Sequence, residues 1–338
     1  MSNSKYKVLS VLKKNIGEYV SGESLSETLG VTRAAVWKYI KELKQQGYKI
    51  DSSTKKGYML EHSSDNLNEY ELMEGLKTEF IGKRLEYFDV LDSTNNYAKK
   101  IAAEGCENGT VVVADNQTEG RGRMGRTWYT ACGKGIWMTL VLRPPIQIEE
   151  VQLFTLGAAV AVARAIRSLT GFEAGIKWPN DIILEGRKVC GILTEMSSEE
   201  SNVNFIVIGI GINVSHTLED FPEDIRDRAT SLMLYSDKSG KKGQLILDRA
   251  DLIKNILFEI EKIYSKINNN SSKEILGDWK TYSVTLGSKV RIIIKGTEYE
   301  GTAVDIEQDG SLTVECIDGV RRRVLSGEIQ VRGIFGYI

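Results

Sequence analysis

Histidine is scarce in this chain: His62 and His216 are the two present in 338 residues. A histidine-based zinc site therefore has too few ligands. There is no G-x-S-x-G either, so a Ser-His-Asp hydrolase has little to build from. The four cysteines, Cys106, Cys132, Cys190 and Cys316, lie far apart and form no C-x-x-C. They read as reduced thiols in a cytoplasm. Long apolar runs are missing: the stretch Val151 to Ala163 spans 13 residues, where a membrane span needs about 20. The N-terminus is polar and lacks the apolar core of a signal peptide. The expectation is a cytoplasmic protein that does not enter a membrane. What is present is ordinary for a soluble protein, 41% hydrophobic and 27% charged, in a length that suits two or three domains.

The net charge of −2 hides an asymmetry. Residues 1–62 hold 11 Lys and Arg against 6 Asp and Glu, a net of +5; the remainder holds 33 against 40, a net of −7. A basic end on an acidic body suggests that this end meets nucleic acid. Leu9, Leu12 and Ile16 recur at helical spacing before Gly17. Ser24 reads as the cap of a second helix carrying Leu25 and Leu29. Gly30-Val31 makes a turn, and Thr32 caps a third helix with the apolar stripe Val36, Tyr39, Ile40 and Leu43, stopped by Gly47. Tyr48-Lys49-Ile50 and Tyr58-Met59-Leu60 then flank a basic hairpin tip. This pattern predicts a winged helix-turn-helix over residues 1–65. Thr32, Arg33, Lys38 and Lys41 would face a DNA groove, with Lys55 and Lys56 on phosphates. The competing reading is a helical protein-protein module. Asp65 to Glu71 is polar and reads as the start of a linker.

GRGRMGRTWYTACGKGIW, residues 120–137, puts three arginines on a glycine-rich backbone. Gly120, Gly122 and Gly125 satisfy G-x-G-x-x-G and nearly satisfy a P-loop. Both motifs need a strand before and a helix directly after. The strand, Thr110 to Ala114, is there; after Arg126 the chain reads as loop and then as the strand Ile136 to Leu142. Both matches are accidental on this reading. A flexible loop carrying three guanidinium forks for phosphate or carboxylate remains. The plainer alternative, a solvated basic turn, leaves Trp128 without a reason.

Leu85 to Val90 reads as a strand running into Asp92-Ser93-Thr94-Asn95 and a helix to Ala103. The small polar residues at that junction can cap the helix or hold a polar ligand. Lys177-Trp178-Pro179-Asn180-Asp181 and Gly186-Arg187-Lys188 are turns between short apolar strands. Phe205 to Ile210 is a further strand, ending in Gly211-Ile212-Asn213.

DSTN at 92–95, GRGRMGRTW at 120–128, KWPND at 177–181, GRKVCGIL at 186–193 and GIGINV at 209–214 occur in the order seen in biotin–protein ligases. With the winged helix in front, the chain resembles the bacterial ligases that also repress the biotin operon. The resemblance covers nearly the whole chain, and its specificity lies in the five motifs together. It implies an α+β protein: the winged helix at 1–65, a central mixed α/β ligase domain of class II synthetase type at 66–275, and a small SH3-like β-barrel at 276–338. It implies that biotin and ATP give biotinyl-5'-AMP and pyrophosphate, and that biotin then passes to a lysine of a biotin carboxyl carrier protein. Lys188, Arg123 and Arg121 would be catalytic. Biotin would lie on Ser93, Thr94, Asn95, Gln117, Arg121, Gly122, Arg123 and Lys188. Arg126, Trp128, Asn180, Asp181 and Asn213 would lie towards ATP, with Asp181 on Mg²⁺; for Asp181 a turn-capping carboxylate is the alternative. Operator DNA, a homodimer in the adenylate-bound state and biotinyl-5'-AMP as corepressor complete the implied picture. Two departures stand out. Thr130-Ala131-Cys132 replaces the family's common Ser-Pro and leaves the loop exit less constrained. Met124 replaces a basic residue.

Leu252, Ile256, Ile260 and Ile263 recur at helical spacing. From Val284 on, Asp309-Gly310 and Asp318-Gly319 between alternating runs signal antiparallel hairpins. Arg321-Arg322-Arg323 reads as a solvated strand edge or a ligand contact. Val189 to Glu195 and Phe205 to Ile210 are candidate strands for pairing with a second copy. Two other functions stay open, a ligand-sensing repressor without catalysis and a lipoate–protein ligase. Intact Arg123, Lys188 and Asp181 argue against the first, and the arginine loop with KWPND against the second.

Overall fold

The computed structural model describes residues 4–61, 65–240, 245, 247–269, 271–294, 296–325 and 331–333; His62 lies outside them. The chain divides into two compact units, Met1–Glu74 and Gly75–Ile338.

In the first unit, α1 (Ser4–Lys14), α2 (Gly22–Leu29) and α3 (Arg33–Gln45) precede an antiparallel hairpin of β1 (Ile50–Ser53) and β2 (Gly57–Leu60), followed by a short α4 (Glu69–Met73). Val8, Leu9, Leu12, Leu25, Val36, Ile40 and Leu43 meet Tyr48, Ile50 and Leu60 in one core. The α3 stripe is as the spacing predicts, and Thr32 Oγ1 accepts from the Ala35 N–H at 3.2 Å. Three details differ. Ser21, not Ser24, caps α2, accepting from the Ser24 N–H at 3.0 Å; Gly22 disguised the first turn because glycine is a poor helix former. Ile16 lies beyond α1 and is 45% exposed. The stretch read as the start of a linker, Asp65 to Glu71, instead runs into α4 at Glu69. Its Glu71 carboxylate is buried where Lys13 Nζ and the Tyr48 hydroxyl donate to it.

The second unit begins with a seven-stranded mixed sheet. Its elements are β3 (Leu85–Leu91), α5 (Thr94–Ala103), β4 (Val111–Gln117), β5 (Gly135–Leu142), α6 (Val151–Thr170), β6 (Gly175–Lys177), β7 (Asp181–Leu184), β8 (Arg187–Glu199) and β9 (Asn202–Asn213). Among the described residues the strand order is β3-β4-β5-β9-β8-β7-β6; β3 and β4 are parallel and the other pairs antiparallel. No helix follows the glycines at 120–125, so the dinucleotide and P-loop matches are indeed accidental.

Strand β9 explains the layering. Successive side chains on a strand face opposite ways. Ile206, Ile208, Ile210 and Ile212 are all buried on one face, each removal from water worth roughly 1.5–3 kcal/mol. There α6 covers the sheet, with Thr155 Oγ1 bonded at 2.8 Å to Thr194 Oγ1 beside Ile208. Helix α6 is long and apolar enough to cross a membrane, but most of it is buried, as in a core helix. On the other face Phe205 and Val207 pack beneath α5 with Ala98, Ile101 and Ala102. Further along this face come Gly209, Gly211 and Asn213, where the apolar cover ends.

Strand β9 has neighbours on both edges, so it offers no edge for pairing with a second copy; this corrects the expectation for Phe205 to Ile210. Strand β8 pairs with β7 from Arg187 to Gly191, while from Ile192 onward its ladder runs along β9 alone.

Helices α7 (Leu232–Lys238), α8 (Arg249–Asn268) and α9 (Ser272–Tyr282) follow. Leu252, Ile256, Ile260 and Ile263 of α8 are buried, and α8 and α9 pack on α6. Then β10 (Lys289–Ile294), β11 (Thr297–Ile306), β12 (Leu312–Cys316), β13 (Arg321–Val324) and β14 (Val331–Gly333) form an antiparallel sheet in the order β13-β12-β11-β10-β14. Gly310 and Gly319 sit at φ 82° and 79° in the hairpin turns that Asp309-Gly310 and Asp318-Gly319 signal. Arg321, Arg322 and Arg323 pair with Glu315, Asp318 and Asp309.

Candidate active site and nucleic-acid interface

A cavity of about 1050 Å³ opens on the α5 face of the sheet where the apolar cover ends. Glycine creates it. A Cβ at Gly209 would stand 2.0 Å from Asn95 Oδ1, and Cβ atoms at Gly191 and Gly211 would each come within 2.8 Å of the Trp128 ring. Gly191 and Gly211 are partners in the β8–β9 ladder, so Trp128 lies over a paired patch without side chains.

The β3–α5 junction forms one wall. Ser93 holds the N-cap position of α5, but its side chain makes no capping bond. Instead the polar groups bond across the sheet. The Thr94 N–H donates to Gln117 Oε1 at 2.8 Å, and Thr139 Oγ1 donates to Asn95 Oδ1 at 2.7 Å. Ser93, Thr94 and Asn95 are each at most 5% exposed, yet they line the cavity with Gln117.

The arginine loop forms the rim. It is a tight turn: the Gly122 N–H donates to Arg126 O at 2.7 Å and the Trp128 N–H to Gly120 O at 2.9 Å. Met124 stands at φ 55°, a left-handed conformation uncommon for a residue with a side chain. The loop exit is tied where Ser-Pro is missing: Thr130 Oγ1 lies 2.7 Å from Gln117 O. Arg123 reaches inward and donates to Asn180 Oδ1 at 3.0 Å. Burial pulls its pKa down from the usual arginine value, offset in part by the Asp181 charge; an arginine nonetheless stays protonated at neutral pH. Arg121 turns to Asn96, donating to its Oδ1 at 2.8 Å.

The far wall is β7 and β8. Lys188 Nζ lies 2.6 Å from Asp181 Oδ1 and 5.2 Å from the centre of the Trp128 ring. Trp178 is buried, joined to Pro179 by a cis peptide, and its Nε1 donates to Gly310 O at 3.1 Å. The C-terminal sheet therefore abuts this wall. Asn180 and Asn213 are buried at the cavity edge, where Asn213 Nδ2 donates to Thr230 O at 3.1 Å.

All the cavity residues named from sequence thus come together: Ser93, Thr94, Asn95, Gln117, Arg121, Gly122, Arg123, Arg126, Trp128, Asn180, Asp181, Lys188 and Asn213. Phe221, Asp224, Ile225, Arg228 and Ala229 also line it and were missed. Their segment reads as an acidic loop. Lys188 draws it in through backbone bonds, donating its N–H to Arg228 O at 2.7 Å and accepting from the Thr230 N–H at 2.9 Å. Among the described residues no group of three or more His, Cys, Asp or Glu converges as a resident metal site would need.

In the first unit, Arg33, Lys38 and Lys41 are exposed on α3, and Lys55 and Lys56 are exposed at the tip of the β1–β2 wing. Trp37 was missed there. It is 59% exposed, one turn from Arg33 and from Lys41, whose Nζ lies 5.6 Å from its ring centre.

Comparison with known proteins agrees with this geometry. The HTH domain matches residues 5–59, the Biotin/lipoate A/B protein ligase family residues 87–213, and the Biotin protein ligase C terminal domain residues 285–332. The chain is 42% identical over 315 residues to a Bacillus subtilis protein named bifunctional ligase/repressor BirA, covering 93% of this chain and 94% of the relative. It is 29% identical over 320 residues to the Escherichia coli protein of that name, covering 94% of each. A biotin protein ligase from Aquifex aeolicus, solved in complex with biotin and ATP, superposes with a TM-score of 0.62 at 30% identity, over 74% of this chain and 99% of that one. The chain belongs to the family of bifunctional biotin ligase/repressors.

Proposed function

We propose that the chain joins biotin to ATP and then to a carrier protein, and that it represses transcription in response to the intermediate. A biotin carboxylate oxygen attacks the α-phosphorus of ATP. The bond to the β-phosphate breaks, pyrophosphate leaves, and biotinyl-5'-AMP remains. The ε-amine of an acceptor lysine on a biotin carboxyl carrier protein then attacks the acyl carbon. The acyl–phosphate bond breaks, AMP leaves, and the amine loses a proton as the amide forms.

One observation carries this reading: a polar, hydrogen-bonding wall at Thr94, Asn95 and Gln117 faces the cations Arg123 and Lys188 across a single cavity. Two anions must meet in the first step, and fixed cations aimed at the reacting oxygens lower that barrier. Lys188, Arg121 and Arg123 serve the carboxylate and the α-phosphate, with the Gly122 backbone close to them. Ser93, Thr94, Asn95 and Gln117 hold the ring of biotin. Arg126, Trp128, Asn180, Asp181 and Asn213 lie towards the nucleotide. One carboxylate, Asp181, fits a Mg²⁺ that arrives on the phosphates, because this ion keeps several waters and takes few protein oxygens. The loop over the cavity keeps water from the adenylate.

The basic helix α3, from Thr32 and Arg33 to Lys38 and Lys41, enters the major groove of operator DNA, and Lys55 and Lys56 hold phosphates. A two-fold dimer reads a palindrome. Biotinyl-5'-AMP acts as corepressor by favouring the dimer, with a coupling of about 1–3 kcal/mol. The unpaired edge of β8 beyond Ile192 is the strand offered for pairing. The protein works in the cytoplasm, away from membranes.

The ligase reading is tested by biotin- and ATP-dependent labelling of a carrier domain, with lipoate as control. Labelling with lipoate alone, or none, would sink it. Repression is tested by sedimentation and operator binding with and without biotinyl-5'-AMP, on the full chain and on a chain starting at Gly75. The shortened chain should keep ligation and lose DNA binding.

A further inference from the structure

Trp37 is the most exposed large apolar side chain among the described residues of the first unit, at 59%. The core of that unit has no use for it. Val36, Ile40 and Leu43 are the buried residues of α3, and they close on α1, α2 and the β1–β2 hairpin. Residues four apart are neighbours on a helix, so Arg33, Trp37 and Lys41 form one row outside the buried stripe. Lys41 Nζ lies 5.6 Å from the indole centre. Lys38 is exposed beside this row, and Ala34, one turn before Trp37, is small and exposed. The one acid of α3, Glu42, lies 3.9 Å from Lys5 of α1. The helix thus presents an apolar plate between cations, in the second turn after the Thr32 cap.

Phosphates account for the cations but not for the plate. A phosphate is held by charge and by hydrogen bonds, to which an apolar ring adds nothing. Base edges are different. In the major groove each base pair shows its own pattern of groups, and thymine alone shows a methyl group. Indole is apolar, with one N–H donor and no acceptor. A thymine–adenine pair answers both properties: the methyl group meets the ring, and thymine O4 or adenine N7 can accept from Nε1. Cytosine shows a donor and no methyl group, and an indole has nothing with which to accept. The residues that reach base edges lie near the start of a recognition helix, where Trp37 stands.

We propose that Trp37 reads a thymine in each half of the operator, its ring lying against the 5-methyl group in the major groove. The proposal rests on the repressor reading and adds the base that α3 discriminates. Arg33, Lys38 and Lys41 hold the helix in the groove around it.

The test starts from a random-sequence pool of duplexes, from which the full chain with biotinyl-5'-AMP selects those it binds. Binding to the selected duplex is then titrated, with each thymine replaced in turn by deoxyuridine, which lacks only the methyl group. At one thymine per half-site the wild type should bind about fourfold more weakly, the worth of one buried methyl group. Replacement in both halves should cost about fifteenfold, the same increment taken twice. Trp37→Ala should bind the thymine and deoxyuridine duplexes equally. Its salt dependence should match that of the wild type, because no phosphate contact is lost. Lys55→Ala in the wing should do the reverse, lowering the salt dependence while keeping the preference for thymine. If Trp37→Ala does not fold, Trp37→Ser carries the same comparison. A wild type indifferent to deoxyuridine at every thymine, a Trp37→Ala chain that keeps the wild-type preference, or a drop in its salt dependence as large as that of Lys55→Ala would each overturn the proposal. A full chain that enriches no sequence from the pool would overturn the repressor reading itself, and this proposal with it, a distinct result.

Discussion

Lys188 Nζ and Asp181 Oδ1 lie 2.6 Å apart, paired across the turn between β7 and β8 at the cavity wall. An incoming phosphate competes with Asp181 for this ammonium, so the cation is held in place without being locked away. The two side chains are 24% and 14% exposed, so the pair is largely shielded from water, a setting that strengthens its pull on a charge developing beside it.

Lys188→Ala should lower the rate of adenylate formation by about 10²–10³-fold, while the unfolding temperature falls by about 2–4 °C for each kcal/mol lost when Asp181 loses this partner. Pyrophosphate release and thermal unfolding on the same sample decide it. Near-normal turnover removes Lys188 from the chemistry.

Arg123 is anchored on Asn180 at 3.0 Å and sits between two glycines of the rim turn. Arg123→Gly should let the adenylate escape, so that lysines of bystander proteins become labelled. Limited proteolysis adds a second readout: biotinyl-5'-AMP should protect the bonds after Arg121, Arg123 and Arg126. Equal cleavage with and without the adenylate contradicts a closing loop.

Gly209 and Gly211 make a steric prediction. A methyl at 209 meets Asn95 Oδ1 at 2.0 Å, and one at 211 meets the Trp128 ring at 2.8 Å. Overpacking of this kind costs typically about 1–3 kcal/mol. Gly209→Ala should displace Asn95 and raise the KM for biotin more than that for ATP; Gly211→Ala should disturb Trp128 and the nucleotide end more. Calorimetry and the two KM values separate them, and identical profiles would refute the division of the cavity.

His216 is buried between Trp137 and Phe221, 5.8 and 5.2 Å from their ring centres, and Phe221 lines the cavity. Burial lowers its pKa to about 4, with Lys134 acting the same way and Asp220 opposing. The folded protein thus prefers neutral imidazole. The associated stability is full above the unfolded value near 6.5 and is lost as pH falls towards 4, a change of roughly 3 kcal/mol. Unfolding temperatures of wild type and His216→Phe should converge with acidification from pH 6.5 to 4.5, the wild type losing more. Parallel curves would show that His216 does not titrate there.

Much of the protein was legible because its signals are local. Thr32 as a cap, the α3 stripe and the Asp-Gly hairpins depend on neighbours a few residues away, and the structure contains all three. The arginine loop could be separated from a dinucleotide motif for the same reason, since the residues after Arg126 read as loop and strand. Locality also explains the errors. Ser21 and Ser24 were equivalent on paper, and Glu71 looked like linker because Lys13 and Tyr48, which bury it, are distant in sequence. The order β5-β9-β8 decided that Phe205 to Ile210 has no free edge. Likewise only the backbone bonds of Lys188 bring Phe221 to Ala229 to the cavity. The chain alone determined which residue types are available and how each segment folds. Tertiary structure decided which groups share a low-dielectric space, where hydrogen bonds between distant residues strengthen, as where Thr139 meets Thr94 and Asn95, 45 and 44 positions away in the chain.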